Sequence, residues 1–201
     1  MGLRYRRIAR VDFPVNTVAL AKALLGALLV RDDGRGETVG KIVEVEAYLS
    51  RDDPGSHSHR GQTKRNSSMF LPAFHAYVYK IYGTLFCVNV SSEAQGVGEA
   101  VLIRALEPVA GLTRMARRRG TEVARDLCRG PGRLCIAMGI TDGLDGADLI
   151  EGDELFLARG AAPVAEAGVS KRIGVTKAPD HHLRFYEIGS RFVSGPRHLS
   201  P

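Results

Sequence analysis

The sequence is poor in cysteine and has no apolar run long enough to matter to a membrane. Its three cysteines, Cys87, Cys128 and Cys135, are an odd set with no two-residue spacing, which argues against a disulfide framework and against a paired zinc or redox motif. Cys87 lies in an alternating apolar stretch and reads as a small buried hydrophobe. The longest apolar stretch, TVALAKALLGALLV, is too short to span a bilayer as a helix, contains Lys22 and is interrupted by Gly26. The first residues, MGLRYRRIARVDFP, lack the apolar segment and small-residue cleavage site of a secretory signal, and Arg6 stands where a myristoylation motif needs Ser or Thr. A cytoplasmic chain without membrane association is expected. Repeats, low-complexity segments and a linker dividing the chain are also lacking.

What is present is an ordinary globular composition, 44% hydrophobic and 25% charged over 201 residues. That length suggests one domain able to bury its own core. The net charge of +6 points to an anionic partner, either nucleic acid or an acidic membrane surface.

Along the chain, Asn16 or Thr17 can cap a helix running to Leu25, with Gly26 at its end. ALLVRDDGRGETVGKIVEVEAYL reads as strand, Gly-rich turn, strand, and HAYVYKIYGTLFCVNVSS as a second hairpin with Tyr82 at its tip. EAVLIRALEP predicts a short strand ending at its Pro, GLTRMARRRG a short basic helix, and GPGRLCIAMGI a turn leading into another helix. Further strands are expected over 148–156, 171–175, LRFYEIG and SRFVSG. The sum is an α+β fold, a largely antiparallel sheet with peripheral helices.

In KIVEVEAYLS the alternation places Val43, Val45 and Ala47 on one face and Ile42, Glu44, Glu46 and Tyr48 on the other. Two carboxylates and a tyrosine in a row are either a solvated strand face or the mouth of a pocket. The polar run 50–68 that follows is long for a connection in a compact domain, and such loops are commonly functional. It holds Asp52, Asp53, His57, His59, Arg60, Lys64 and Arg65. His57 and His59 beside carboxylates raise the possibility of a metal, but His75 and the pair His181, His182 are isolated and complete no cluster. No metal and no cofactor are expected. Tyr77 and Tyr79 share a face of their strand, which fits ordinary cross-strand packing, whereas Tyr82 sits at a turn with no core to enter and could insert between bases. Arg114, Arg117, Arg118 and Arg119 are either phosphate contacts or a solvated helix face.

Taken together, VEVEAYL, HSHRGQTKRN, YVYKIYGTLFCVNV, VLIRALEP, LCRGPGRLC and LRFYEIGSRFVS resemble, in order and spacing, the motifs of the alkyladenine (3-methyladenine, or methylpurine) DNA glycosylases. The resemblance implies that residues 1–201 form one glycosylase domain with a curved sheet and a protruding hairpin. It also implies a partner, double-stranded DNA carrying a damaged purine. By that resemblance Glu46 activates water, Tyr48, His57, Tyr79 and Asn89 line the base pocket, and Tyr82 is the wedge. Arg104, Arg65, Lys171 and Arg172 would contact DNA.

The chemistry suits those residue types. Excision needs an extruded nucleotide, aromatic faces to hold a base made cationic by alkylation, and one carboxylate for water, because a cationic base leaves without protonation. Glu44 is then expected to be a structural acid paired with Arg or Lys. Lys64 and Lys80 are poorly placed as nucleophiles, so hydrolysis alone is expected, by a monomer. Rival readings are a non-catalytic DNA-binding module and a metal-dependent phosphodiesterase using Asp52, Asp53, His57 and His59. The glycosylase reading requires Glu46 within a hydrogen bond plus a water of a cavity; a side chain salt-bridged deep in the fold, or beyond that reach, would overturn it.

Overall fold

Nine strands, all antiparallel, build one open sheet in a computed structural model that describes residues 5–160, 164, 166–177 and 180–195. The strands are β1 (Arg6–Arg7), β2 (Leu28–Asp32), β3 (Glu37–Tyr48), β4 (Ala76–Ile81), β5 (Leu85–Ser92), β6 (Glu99–Ala110), β7 (Leu155–Arg159), β8 (Ala167–Ser170) and β9 (Arg184–Glu187). Their order is β1-β7-β2-β3-β6-β5-β4, with β9 joining β3 to β8. Both hairpins expected from the sequence are present, β2–β3 closing across Asp32 and Glu37 and β4–β5 across Ile81 and Leu85.

Among the described residues the α-helices are α1 (Thr17–Leu24), α2 (Leu112–Arg119), α3 (Ala124–Leu127) and α4 (Pro131–Met138). Asn16 caps α1 by accepting from Ala19 N at 3.1 Å. Gly111 and Gly120, both with positive φ, bound α2, and Pro131 opens α4. Leu20 and Leu24 of α1 and Leu134, Ala137 and Met138 of α4 pack on Ile42, Val45, Ala47, Val90 and Ile103 of the sheet to form the main core.

β3 is the axis of the molecule, and both of its faces are buried. One edge pairs with β2 over residues 37–41 and with β9 over 44–46, while the other runs along β6. The strict alternation read from the sequence is broken here. Register shifts flank Glu44, so that Val43 on β3 and Arg104 on β6 are skipped by the pairing. A bulge of this kind re-aims side chains. Ile42, Val45 and Ala47 enter the main core, and Val43 joins Ala105, Tyr186, Phe192 and Val193 in a separate cluster. The solvated-face reading of Glu44 and Glu46 is overturned, since both are 0% exposed.

Four strand expectations also change. β6 does not end at Pro108: it continues to Ala110, with Pro108 opposite Gly40 at a shifted register where a missing N–H is tolerated. Over 148–156 only Leu155–Phe156 is strand, because Asp148 turns the chain by accepting from Ile150 N and Glu151 N. Residues 171–175 and 190–195 are irregular. One N–H group in each goes to a carboxylate instead of a neighbouring strand, Ile173 N to Glu46 and Ser194 N to Glu44.

Candidate active site

Glu46 lies near the end of β3 and accepts three hydrogen bonds. Oε1 takes the Ile173 N–H at 2.7 Å, and Oε2 takes the Tyr48 hydroxyl at 2.9 Å and Arg104 Nη1 at 3.1 Å. The side chain is salt-bridged and has no exposed surface, so it is not at a pocket mouth. Yet Tyr48, Arg104 and Ile173 all line a cleft of about 1120 Å³. Glu46 is therefore salt-bridged but not deep in the fold: it lies one hydrogen bond behind the cleft floor. A carboxylate has about four lone-pair sites, which leaves room for one more donor, such as a water.

Glu44 is held by more donors. Oε1 accepts from Arg184 Nε at 2.7 Å, Ser194 Oγ at 3.0 Å and Arg104 Nε at 3.1 Å, and Oε2 accepts from Ser194 N at 2.6 Å. Burial alone would raise its pKa, but Arg104, Arg184 and the Ser194 N–H hold it below the usual carboxylate value. This is the structural acid the sequence led us to expect. Arg104, expected on the DNA backbone, is instead buried between the two glutamates, because the β3–β6 bulge turns it inward.

Aromatic rings line the cleft. Tyr77 and Tyr79 on β4 have centroids 5.2 Å apart, and the His57 ring meets Tyr79 edge-on at 4.6 Å. Asn89, opposite Tyr77 on β5, donates Nδ2 to the Tyr77 carbonyl at 2.8 Å, which fixes its amide. Burial raises the pKa of Tyr48, Tyr77 and Tyr79, so their hydroxyls stay protonated. Burial, then the charge of Arg65, lowers that of His57, so the imidazole is neutral near pH 7. Its Nδ1 lies 2.9 Å from the Tyr77 hydroxyl. That buried O–H is best satisfied by donating to Nδ1, an assignment made from the network that leaves the ring proton on Nε2.

Tyr82 stands at the hairpin tip, 90% exposed and with a left-handed φ of 47°. Arg65, His59, Arg60 and Lys177 line the same cleft, and Arg65 also donates to the Lys80 carbonyl at 3.2 Å. Lys171 is exposed and paired with Asp180 at 2.8 Å. Arg172, expected on DNA, is buried against Asp53 because that acid lies in the folded-back loop. The arginines of α2 differ from both readings offered by the sequence. Arg114 and Arg118 bind Asp33, and Arg119 binds the carbonyls of Leu127 and Asp126, so three of the four tie the helix to the protein. The metal reading of the loop finds no support in its geometry. Asp53 is engaged by Arg172, His57 by Tyr77, and among the described residues no three His, Cys, Asp or Glu side chains converge.

Sequence reasoning missed the Ile173 N–H, a backbone donor that no side chain announces, and Lys177. It also read Arg60 only as part of the loop. Basic residues bracketing the motifs were the signal for the last two.

A sequence profile of the methylpurine-DNA glycosylases matches residues 12–191. The chain belongs to the methylpurine-DNA glycosylase family. Relatives agree along nearly the whole length. A protein of Mesorhizobium japonicum is 53% identical over 96% of this chain and 92% of its own. One from Methanoculleus marisnigri is 52% identical over 89% and 94%, and one from Paraburkholderia phytofirmans 45% over 96% and 90%. All three are provisionally named 3-methyladenine DNA glycosylases. This glycosylase is thus a hydrolase of N-glycosyl bonds in base excision repair, with DNA as its substrate. Among its described residues no helix is long and apolar enough to cross a membrane.

Proposed function

We propose that the chain extrudes alkylated purines such as 3-methyladenine from duplex DNA into this cleft, and that Glu46 primes the water that attacks the sugar carbon. The observation that carries the reading is the placement of Glu46. It touches three residues of the cleft wall and retains acceptor capacity for a water. A carboxylate there both removes a proton and stabilises an oxocarbenium-like sugar. Arg104 orients that carboxylate rather than contacting the DNA backbone.

An extruded purine entering between Tyr48 and Tyr79 gains stacking, and a cationic one gains roughly 0.5–2 kcal/mol more. Tyr48, Tyr79, His57 and Asn89 shape this pocket, with His57 Nε2–H as a donor to the base. Tyr82, exposed at the tip and strained in φ, would fill the space the nucleotide vacates. Arg65, Arg60, Lys177 and Lys171 would neutralise phosphates, which makes binding salt-sensitive and mostly independent of sequence. Arg172 has no such role. A lysine nucleophile would need desolvation, whereas Lys64, Lys80 and Lys177 are exposed, which supports hydrolysis that leaves an abasic site unbroken. The protein would act as a single domain, as a monomer holding wedge and pocket together, in the cytoplasm on nucleoid DNA.

The test is incubation with a duplex bearing one methylated purine in the presence of chelator, followed by alkali to reveal abasic sites. The native protein should produce them and Glu46→Gln should not, while still binding the duplex. Activity abolished by chelator, or retained in Glu46→Gln, would overturn the reading.

A further inference from the structure

Residues 173–177 line one wall of the cleft, and the segment 171–177 belongs to no strand. β8 stops at Ser170, and the Ile173 N–H beyond it has no ladder partner to set its direction. That N–H is nevertheless aimed at Glu46 Oε1. The group immediately before it supplies the anchor. The guanidinium of Arg172 donates Nη2 to Asp53 Oδ1 at 2.6 Å, and Nη1 to Asp53 Oδ2 at 2.7 Å and to the Ala47 carbonyl at 3.0 Å. Both side chains are out of water, at 1% and 0% exposure. Ala47 is the residue between Glu46 and Tyr48, and the Arg172 guanidinium carbon lies 4.5 Å from the centre of the Tyr48 ring. Asp53 in turn accepts from Leu49 N at 3.0 Å and Gly55 N at 3.1 Å, which shapes the loop carrying His57.

We propose that the Arg172–Asp53 pair is a positioning clamp for the glycosylase reaction, fixing the Ile173 N–H on Glu46 and holding Tyr48 from behind. The proposal rests on Glu46 being the group that activates water. A planar fork pairing both oxygens of one carboxylate while also reaching a backbone carbonyl is geometry that arginine provides and lysine does not. The clamp joins three separate segments: the end of β3, the loop after it and the C-terminal wall. Gly55 lies at their junction. A Cβ there would stand 2.6 Å from Val175 Cγ1 and 3.0 Å from Arg172 Nη2. Gly55→Ala therefore pushes the wall away without removing a charge.

The experiment follows single-turnover release of methylpurine from methylated duplex DNA as a function of pH, for Arg172→Lys, Gly55→Ala and Glu46→Gln. A permanently cationic leaving group needs no protonation, so the acidic limb reports the carboxylate. Arg172→Lys should lose about 100-fold in rate at neutral pH, the cost of a small misplacement. Its acidic limb should also move to higher pH, because a carboxylate deprived of an N–H donor protonates more readily. Gly55→Ala should move the limb the same way with a loss of about 10-fold. Binding of the duplex should be unchanged in both. A purely structural pair would reduce the amount of active protein and leave the limb where it is. If Arg172→Lys does not fold, Gly55→Ala decides. An unmoved limb in the variants that fold overturns the clamp. Glu46→Gln separates the two claims: full activity there sinks the role of Glu46 itself, whereas an inactive Glu46→Gln beside unmoved limbs sinks the clamp alone.

Discussion

Glu44 and Glu46 are two residues apart on one strand, equally buried and bound to the same arginine, yet they face different surroundings. Glu44 accepts four hydrogen bonds, two of them from Ser194, in a region with the fully buried Arg184 beside it. Glu46 accepts three, each from a residue of the cleft wall. A carboxylate engaged by four donors of the surrounding fold, of which only the shared Arg104 lines the cleft, holds the fold together. One with capacity left, a hydrogen bond from a cleft, is placed to act on a water.

That contrast is open to direct attack. The largest effect should come from Glu46→Gln, with base release falling by about 10³- to 10⁴-fold, the upper part of what a general base supplies. Thermal unfolding of the same variant would show whether the loss is chemical. Glu44→Gln should do the reverse. It takes a carboxylate away from both Arg184 and Arg104 and should cost about 3–5 kcal/mol in urea unfolding, the range for breaking a buried pair. Release per folded molecule should suffer far less than in Glu46→Gln. If Glu44→Gln stayed folded and lost as much chemistry as Glu46→Gln, the distinction between the two acids would fail.

Acid should expose the same contrast. Burial alone would raise the pKa of Glu44 and Asp53, but Arg104 and Arg184 on one, and Arg172 with backbone N–H groups on the other, hold both below their ordinary values of 4.5 and 3.8. A depressed folded pKa contributes stability that is complete above the unfolded value and lost as pH falls through the folded one. Urea midpoints should therefore be flat near neutrality and decline below about pH 4.5, and Glu44→Gln should shrink that decline.

Smaller effects test the cleft against its rim. Tyr82→Ala should leave stability unchanged and weaken capture of the extruded state by about 1–3 kcal/mol, the value of a lost stacking ring. Smallest of all, Arg60→Ala should lower the slope of log binding against log salt by about 0.9. Arg118→Ala should leave that slope alone, since its guanidinium is already bound to Asp33 and the Ala137 carbonyl.

Local pattern made much of this legible. Alternating residues around Gly34 and Gly83 gave two hairpins, Asn16 gave a cap, and the glycines at 111 and 120 bounded a basic helix. The pocket tyrosines were readable because strand alternation puts Tyr77 and Tyr79 on one side whatever packs there. The burial of Arg104 and Arg172 against acids was not legible, for a physical reason. Arginine is usually solvated, and nothing in its neighbourhood along the chain reports an acid 58 or 119 residues away.

The sequence by itself determined the two hairpins, the position of their turns and the order of the reactive residue types, all of which depend on neighbours a few places apart. Tertiary structure alone decided that β3 is buried on both faces, that a bulge turns Arg104 inward, and that the N–H of Ile173, 127 residues from Glu46, completes its hydrogen bonding. Burial and charge pairing arise from contacts between distant segments, and a local pattern carries no record of them.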